Sequence, residues 1–196
     1  MRVCVFAGAS PNINGETLKF GFDVGYGLGR AGHGLVYGGG NLGMMGAVTD
    51  GALAAGAAVT GVCPEFLMTR ERRHPGVADL RIVRSMHERK TLMHELSDGF
   101  LVVPGAYGTL EEAMEILTWR QLQLHHKPVL FLHNRNQWDP LRRMFDGMVE
   151  EGFLARHDRQ LVRFLDSIDE ALALLGRPGT GVSETDAPPL LTTELS

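Results

Sequence analysis

The sequence predicts an α/β domain with a doubly wound, mostly parallel sheet and helices on both of its faces. Short β-branched runs alternate with longer segments of helical period, the order a parallel sheet produces because each crossover needs a helix's length of chain. The runs near residues 3, 101 and 130 are almost wholly apolar, as expected of strands covered on both faces. The segments between them are apolar on one side only, and 196 residues are enough for one well-buried core.

The first strand is expected at Val3 to Ala7. Further runs follow at Gly34 to Tyr37, Ala58 to Val62, Leu80 to Val83, Phe100 to Val103 and Pro128 to Leu132. Between the first two, Phe20, Val24 and Leu28 make a helical stripe. The last helix is expected from Ser167, its N-cap, to Leu175, with Gly176 as its stop. From Arg177 onward the chain turns to Gly, Pro, Ser and Thr, so residues 1–176 are read as one Rossmann-like domain and 177–196 as a flexible tail.

Composition narrows the partners. The formal net charge is −4 and Lys and Arg are scattered rather than massed, which argues against nucleic acid. No apolar stretch approaches the ~20 residues of a membrane span, and the run ending at Ala7 is too short for a signal-peptide core, so a cytoplasmic protein is expected. Cys4 and Cys63 lie in or at the end of apolar runs, as suits reduced, buried thiols. His125 and His126 are adjacent, His87 and His94 lack metalloprotease spacing, and no carboxylate cluster supplies a hard-cation site, so no metal is expected.

Three elements at strand ends carry chemistry. The first is the loop Gly38 to Gly46, which follows the strand ending at Tyr37 and leads into a helical segment around Ala47 to Ala55. Its glycines, with Gly39, Gly40 and Gly43 as candidates, let an anion approach the main chain at a helix N-terminus, although a tight turn would need glycine too. Gly38, Gly40 and Gly43 also fit G-x-G-x-x-G, with Glu65 near the place of a ribose-binding acid. A nicotinamide enzyme is disfavoured because this pattern follows the second strand, not the first, and because a second loop of similar composition exists. That second loop runs from Pro104 to Glu112 and opens the helix carrying Glu115 to Gln121. Thr109-x-x-Glu112 reads either as a capping box or as a catalytic carboxylate beside a phosphate loop. The third element, Ser85 to Lys90, puts Arg89 and Lys90 at another strand end, where the bland reading is a solvated face.

Together these elements resemble the lonely-guy (LOG) family of cytokinin riboside 5'-monophosphate phosphoribohydrolases, whose signature pairs P-G-G-x-G-T-x-x-E with an upstream M-H-x-R-K. Here the two stand as Pro104-Gly105-Ala106-Tyr107-Gly108-Thr109-Leu110-Glu111-Glu112 and Met86-His87-Glu88-Arg89-Lys90. The similarity runs from Val3 through the triple-glycine loop, Leu67-Met68-Thr69-Arg70-Glu71 and Thr118-Trp119-Arg120-Gln121 to about Leu175. The resemblance implies hydrolysis of the N-glycosidic bond of a nucleoside 5'-monophosphate, AMP or cytokinin riboside 5'-monophosphate, without a cofactor. It implies that Arg89 and Glu112 are catalytic and that Glu71, Lys90 and Thr118 line the substrate site. Residues 106–112, hence Ala106, Tyr107, Gly108, Thr109, Leu110 and Glu111 beside Glu112, would hold the phosphate, and the protein would be a homodimer with sites near the interface. Some relatives carry the label lysine decarboxylase, which would require a pyridoxal phosphate lysine. Lys90 is the only lysine in the motif region, and beside Arg89 a phosphate or substrate role is simpler. A carrier that binds a nucleotide or cofactor without turnover is the alternative, and the presence of both Arg89 and Glu112 argues against it. Ala106 stands where the family motif has its second glycine. At positive φ its β-carbon would cost about 1–2 kcal/mol, and at ordinary φ it would be nearly neutral.

Overall fold

The structure is a computed structural model that describes residues 1–68, 72–133 and 135–176. The expected tail and Glu71 lie outside the described residues. In chain order the elements are β1 (Arg2–Phe6), α1 (Gly15–Arg30), β2 (Gly34–Tyr37), α2 (Gly43–Ala54), β3 (Val59–Pro64) and a 3-10 turn (Glu65–Leu67). Then come β4 (Asp79–Val83), α3 (Met86–Glu95), β5 (Gly99–Val102), α4 (Tyr107–Gln121), β6 (Val129–Leu132), α5 (Asp139–Glu150), α6 (Arg156–Arg159), β7 (Val162–Leu165) and α7 (Ile168–Leu175). The seven strands of the described residues form one sheet in the order β4-β3-β2-β1-β5-β6-β7, and every neighbouring pair is parallel.

Period-two alternation sorts the core into two layers. Val3, Val5, Leu101, Leu130 and Leu132 point to one face, where α1, α2 and α7 cover them with Val24, Leu28, Met44, Val48 and Leu175. Cys4, Phe6, Phe100, Val102, Val129 and Phe131 point to the other, against Met93 of α3, Ile116 of α4 and Phe145 of α5. Helices on both faces therefore make the sheet doubly wound. β1 lies between β2 and β5, so the chain reverses its direction of travel across the sheet at the β1–β5 boundary. The loops leaving those two strands diverge to opposite faces and open a crevice at their carboxyl ends.

The sequence reading differs from this fold in three places. β7, Val-Arg-Phe-Leu, was not foreseen; it is an edge strand in which only Val162 and Leu165 are buried, so it has no continuous apolar run. Helix α2 begins at Gly43 rather than near Ala47, so the end of the glycine loop is the first helical turn. Ser167 does occupy the N-cap of α7, but its side chain makes no capping hydrogen bond there, and Gly176 ends the helix at φ −74° rather than in the left-handed region.

Candidate active site

A cavity of about 810 Å³ fills the crevice at the β1–β5 boundary. One wall is the segment after β1, Ala7 to Pro11 and Ile13; the opposite wall is the segment after β5 and the start of α4, Pro104 to Thr109 and Glu112. The two segments touch, because the Gly8 amide donates to the Pro104 carbonyl at 3.2 Å. Leu42, Met45, Leu67 and Met86 add an apolar side.

Arg89 reaches this cavity because of how α3 starts. Ser85 caps the helix by accepting from the Glu88 amide at 3.1 Å, and the Glu88 carboxylate reaches back to the Arg84 amide at 2.8 Å. This is close to a capping box, displaced by one residue at its acidic end. With Glu88 spent on the cap, Arg89 turns inward and is only 3% exposed. Its Nη2 donates to the Gly38 carbonyl at 3.2 Å and lies 3.9 Å from Glu112 Oε1. The space for it exists because residue 38 is glycine: a β-carbon there would sit 1.9 Å from Nη2.

Glu112 occupies the second turn of α4 and is likewise buried. The capping-box reading of Thr109 and Glu112 is corrected, since α4 begins two residues earlier, at Tyr107, with Ala106 at its N-cap. Thr109 is inside the first turn, its side chain packed so closely on Gly105 that a β-carbon at 105 would meet the hydroxyl at 2.0 Å. No side chain caps α4, so its first amides and the positive end of its dipole open on the cavity. Ala106 has φ −117°, an ordinary extended value, so the steric objection to alanine there does not apply. Beneath the pair, burial pushes the Cys4 thiol well above its usual pKa; the Glu112 charge adds to this, while Arg89 opposes it.

The remaining candidates lie elsewhere. Lys90 is buried between α3 and α4, bonded to Glu111 and 3.0 Å from Glu115. Burial works against its ammonium, but the two carboxylates outweigh it and hold the pKa above the ordinary lysine value. Lys90, Leu110 and Glu111 are not in the cavity wall, and Thr118 is exposed further along α4, its hydroxyl donating to the Met114 carbonyl at 2.8 Å. Gly39, Gly40 and Gly43 are also outside the wall. Gly39, at φ +86°, backs onto Cys63 and Leu80; Gly40 bridges to Arg73; Gly43, at φ +60°, lies against the Ser10 carbonyl. The Met45 amide in the first turn of α2 donates to the Gly8 carbonyl at 3.1 Å, so the triple-glycine loop spends this amide on protein rather than on an anion. The cavity is therefore walled chiefly by the segment after β1 facing the segment after β5, with Leu42 and Met45 of the glycine loop on its apolar side. Gly8-Ala9-Ser10, directly after the first strand, was the signal in the sequence for that segment. Among the described residues no three His, Cys, Asp or Glu side chains gather to hold a metal ion, and no helix is long and apolar enough to cross a membrane.

A parallel sheet with its crevice at the switch point, an uncapped helix start on one wall and a buried Arg–Glu pair beside it define a Rossmann-like domain suited to an anionic ligand. Comparison with known proteins narrows that class. Residues 45–175 match the profile of the family described as "Possible lysine decarboxylase". The chain is 41% identical over 161 residues to the "Probable cytokinin riboside 5'-monophosphate phosphoribohydrolase LOGL5" of Oryza sativa subsp. japonica, across 82% of this chain and 65% of that protein. It is 38% identical over 177 residues to the cytokinin riboside 5'-monophosphate phosphoribohydrolase of Rhodococcoides fascians, across 90% of this chain and 89% of that one. The protein belongs to this LOG family. The molybdenum cofactor carrier protein of Chlamydomonas reinhardtii shares the fold, with a TM-score of 0.68 at 20% identity over 89% of this chain and 94% of that one.

Proposed function

We propose that the protein hydrolyses the N-glycosidic bond of a nucleoside 5'-monophosphate, AMP or cytokinin riboside 5'-monophosphate, releasing the free base and ribose 5-phosphate. The observation that carries this reading is the approach of Arg89 to Glu112, 3.9 Å apart and both buried, next to the uncapped start of α4. Breaking the bond builds positive charge on the ribose and negative charge on the departing base. Glu112 supports the oxocarbenium-like sugar and accepts a proton from the attacking water, whose hydroxide adds to the anomeric carbon as the base leaves with the bonding pair; the base then takes up a proton and Glu112 gives its own back to solvent. Arg89 steadies the substrate or the leaving base. The phosphate sits on the amides of residues 106–109, and its binding energy places the anomeric carbon against the carboxylate. The apolar side formed by Leu42, Met45, Leu67 and Met86 offers the base a dry surface.

The same reading makes the protein a homodimer. Leu122 and Leu124, 63% and 67% exposed just beyond α4, and Tyr107, 91% exposed at the cavity rim, form apolar surface that a second copy would cover. The exposed Thr118 on the same helix would then serve the partner's site. Incubation with AMP, an N6-prenylated AMP and adenosine, followed by chromatography of the free base, tests the activity. The monophosphates should be cleaved at least about 10²-fold faster than adenosine, because only they can use the α4 amides. Equal rates would remove the phosphate anchor, and binding without base release would make the protein a carrier.

A further inference from the structure

A second cavity, of about 650 Å³, lies where β6 and β7 begin, at the opposite end of the sheet from the crevice. Its walls include Arg120 at the end of α4, Arg142 of α5 and Arg159 of α6 and, among the described residues, no aspartate or glutamate; Arg163 of β7 also borders it, but alternates to the other face of the sheet beside Leu130. Two of the arginines are partly neutralised from outside the wall: Arg142 Nη2 is 3.3 Å from Asp139, and Arg159 Nε is 2.7 Å from Asp146. Each guanidinium has five N–H donors, so these contacts leave most of them unused. Arg120 is partly buried, and its Nη1 donates to the Leu161 carbonyl at 2.7 Å. Burial holds its pKa below the usual arginine value, and no carboxylate contributes to offset this. Protection of the open β7 edge accounts for Arg163, not for the three arginines on the other face.

We propose that this cavity is a second anion site, which takes the phosphoryl group of a small phosphorylated ligand between Arg120, Arg142 and Arg159. Planar guanidinium forks match phosphoryl oxygens in pairs, and an anion here would supply the counter-charge that the partly buried Arg120 lacks in the wall. Phe164, with Arg159 stacked over it at 5.4 Å, gives an attached apolar body a place to rest.

The test is a titration of the full chain with inorganic pyrophosphate and, separately, with ADP at fixed ionic strength, followed by amide NMR. The expected result is a saturable shift of the amides of residues 157–164, weakened at least tenfold by Arg159→Ala and by Arg142→Ala, while shifts at residues 105–109 keep their wild-type midpoint. Tighter binding of ADP than of pyrophosphate at residues 157–164 identifies a nucleotide as the ligand; equal affinity identifies free pyrophosphate. Shifts confined to residues 105–109, or variants that bind as tightly as the wild type, would overturn the proposal. A shift at residues 157–164 without one at 105–109 would instead count against phosphate binding in the crevice and leave the second site standing.

Discussion

Gly38→Ala tests whether the position of Arg89 is what the site depends on. The new β-carbon would stand 1.9 Å from Nη2 and 3.1 Å from Cζ of Arg89. Reaching van der Waals separation requires the guanidinium to retreat by about 1.5 Å. That movement breaks the bond to the Gly38 carbonyl and disturbs the 3.9 Å approach to Glu112. A displacement of about 1 Å can cost about 10²-fold in rate, so base release from AMP should fall by at least that factor. Arg89 is the end of a long side chain and can swing toward the open cavity, so the fold should survive, with the melting temperature within a few degrees of wild type. Gly147→Ala, on α5 where a β-carbon meets nothing within 4 Å, is the matched control and should leave the rate unchanged. The assay is single-turnover release of adenine together with a thermal melt. Near-normal turnover by a folded Gly38→Ala protein would refute the claim that glycine at 38 seats the arginine, and with it the role given to the Arg89–Glu112 approach.

Three other perturbations follow from the same geometry. Glu112→Gln preserves shape but removes the charge, and base release should drop about 10²-fold or more; because Glu112 lies beyond the first turn of α4, a loss cannot be attributed to helix capping, and retained turnover would strip the proposed mechanism of its carboxylate. Ala106→Gly should leave the affinity for ribose 5-phosphate unchanged, since φ −117° strains no residue, and should lower stability by about 0.4–1 kcal/mol through the unfolded chain; a tenfold gain in affinity would show that the β-carbon obstructs the phosphate. His125, buried against Phe100 and bonded to the Ile116 carbonyl, has its pKa pushed down by burial to about 4 from 6.5. Its folded-state pKa is the lower one, so its neutral form contributes stability above about pH 6.5 that is lost as the pH falls toward 4, at most about 3 kcal/mol. Urea unfolding at pH 7 and pH 4.5 should show a smaller drop for His125→Gln than for wild type, and equal drops would exclude this histidine as the source.

The parts legible in the sequence are those that a single local pattern determines. Apolar runs at residues 3, 101 and 130 became the central strands because burial on both faces leaves no room for polar residues there. Edge strand β7 was not legible because one buried face at each end and an arginine between them give it the look of a loop. Helix starts were harder still, because the same four-residue signature suits two places. Ser85 and Glu88 form the cap, while Thr109 and Glu112, with the same spacing, sit past the start of α4 with the carboxylate in the cavity wall. The triple-glycine loop was legible as a close approach of backbone to something, but not as to what. The local pattern suggests an anion, whereas what approaches Gly38 is the guanidinium of Arg89, 51 positions along the chain, and what approaches Gly43 is the Ser10 carbonyl. Both neighbours arrive only when β1, β2 and the helix after β4 take their places in the sheet. Gly38 therefore acts on the candidate chemistry through the side chain it admits, and a glycine-rich strand end in such a fold can shape an active site without touching the ligand.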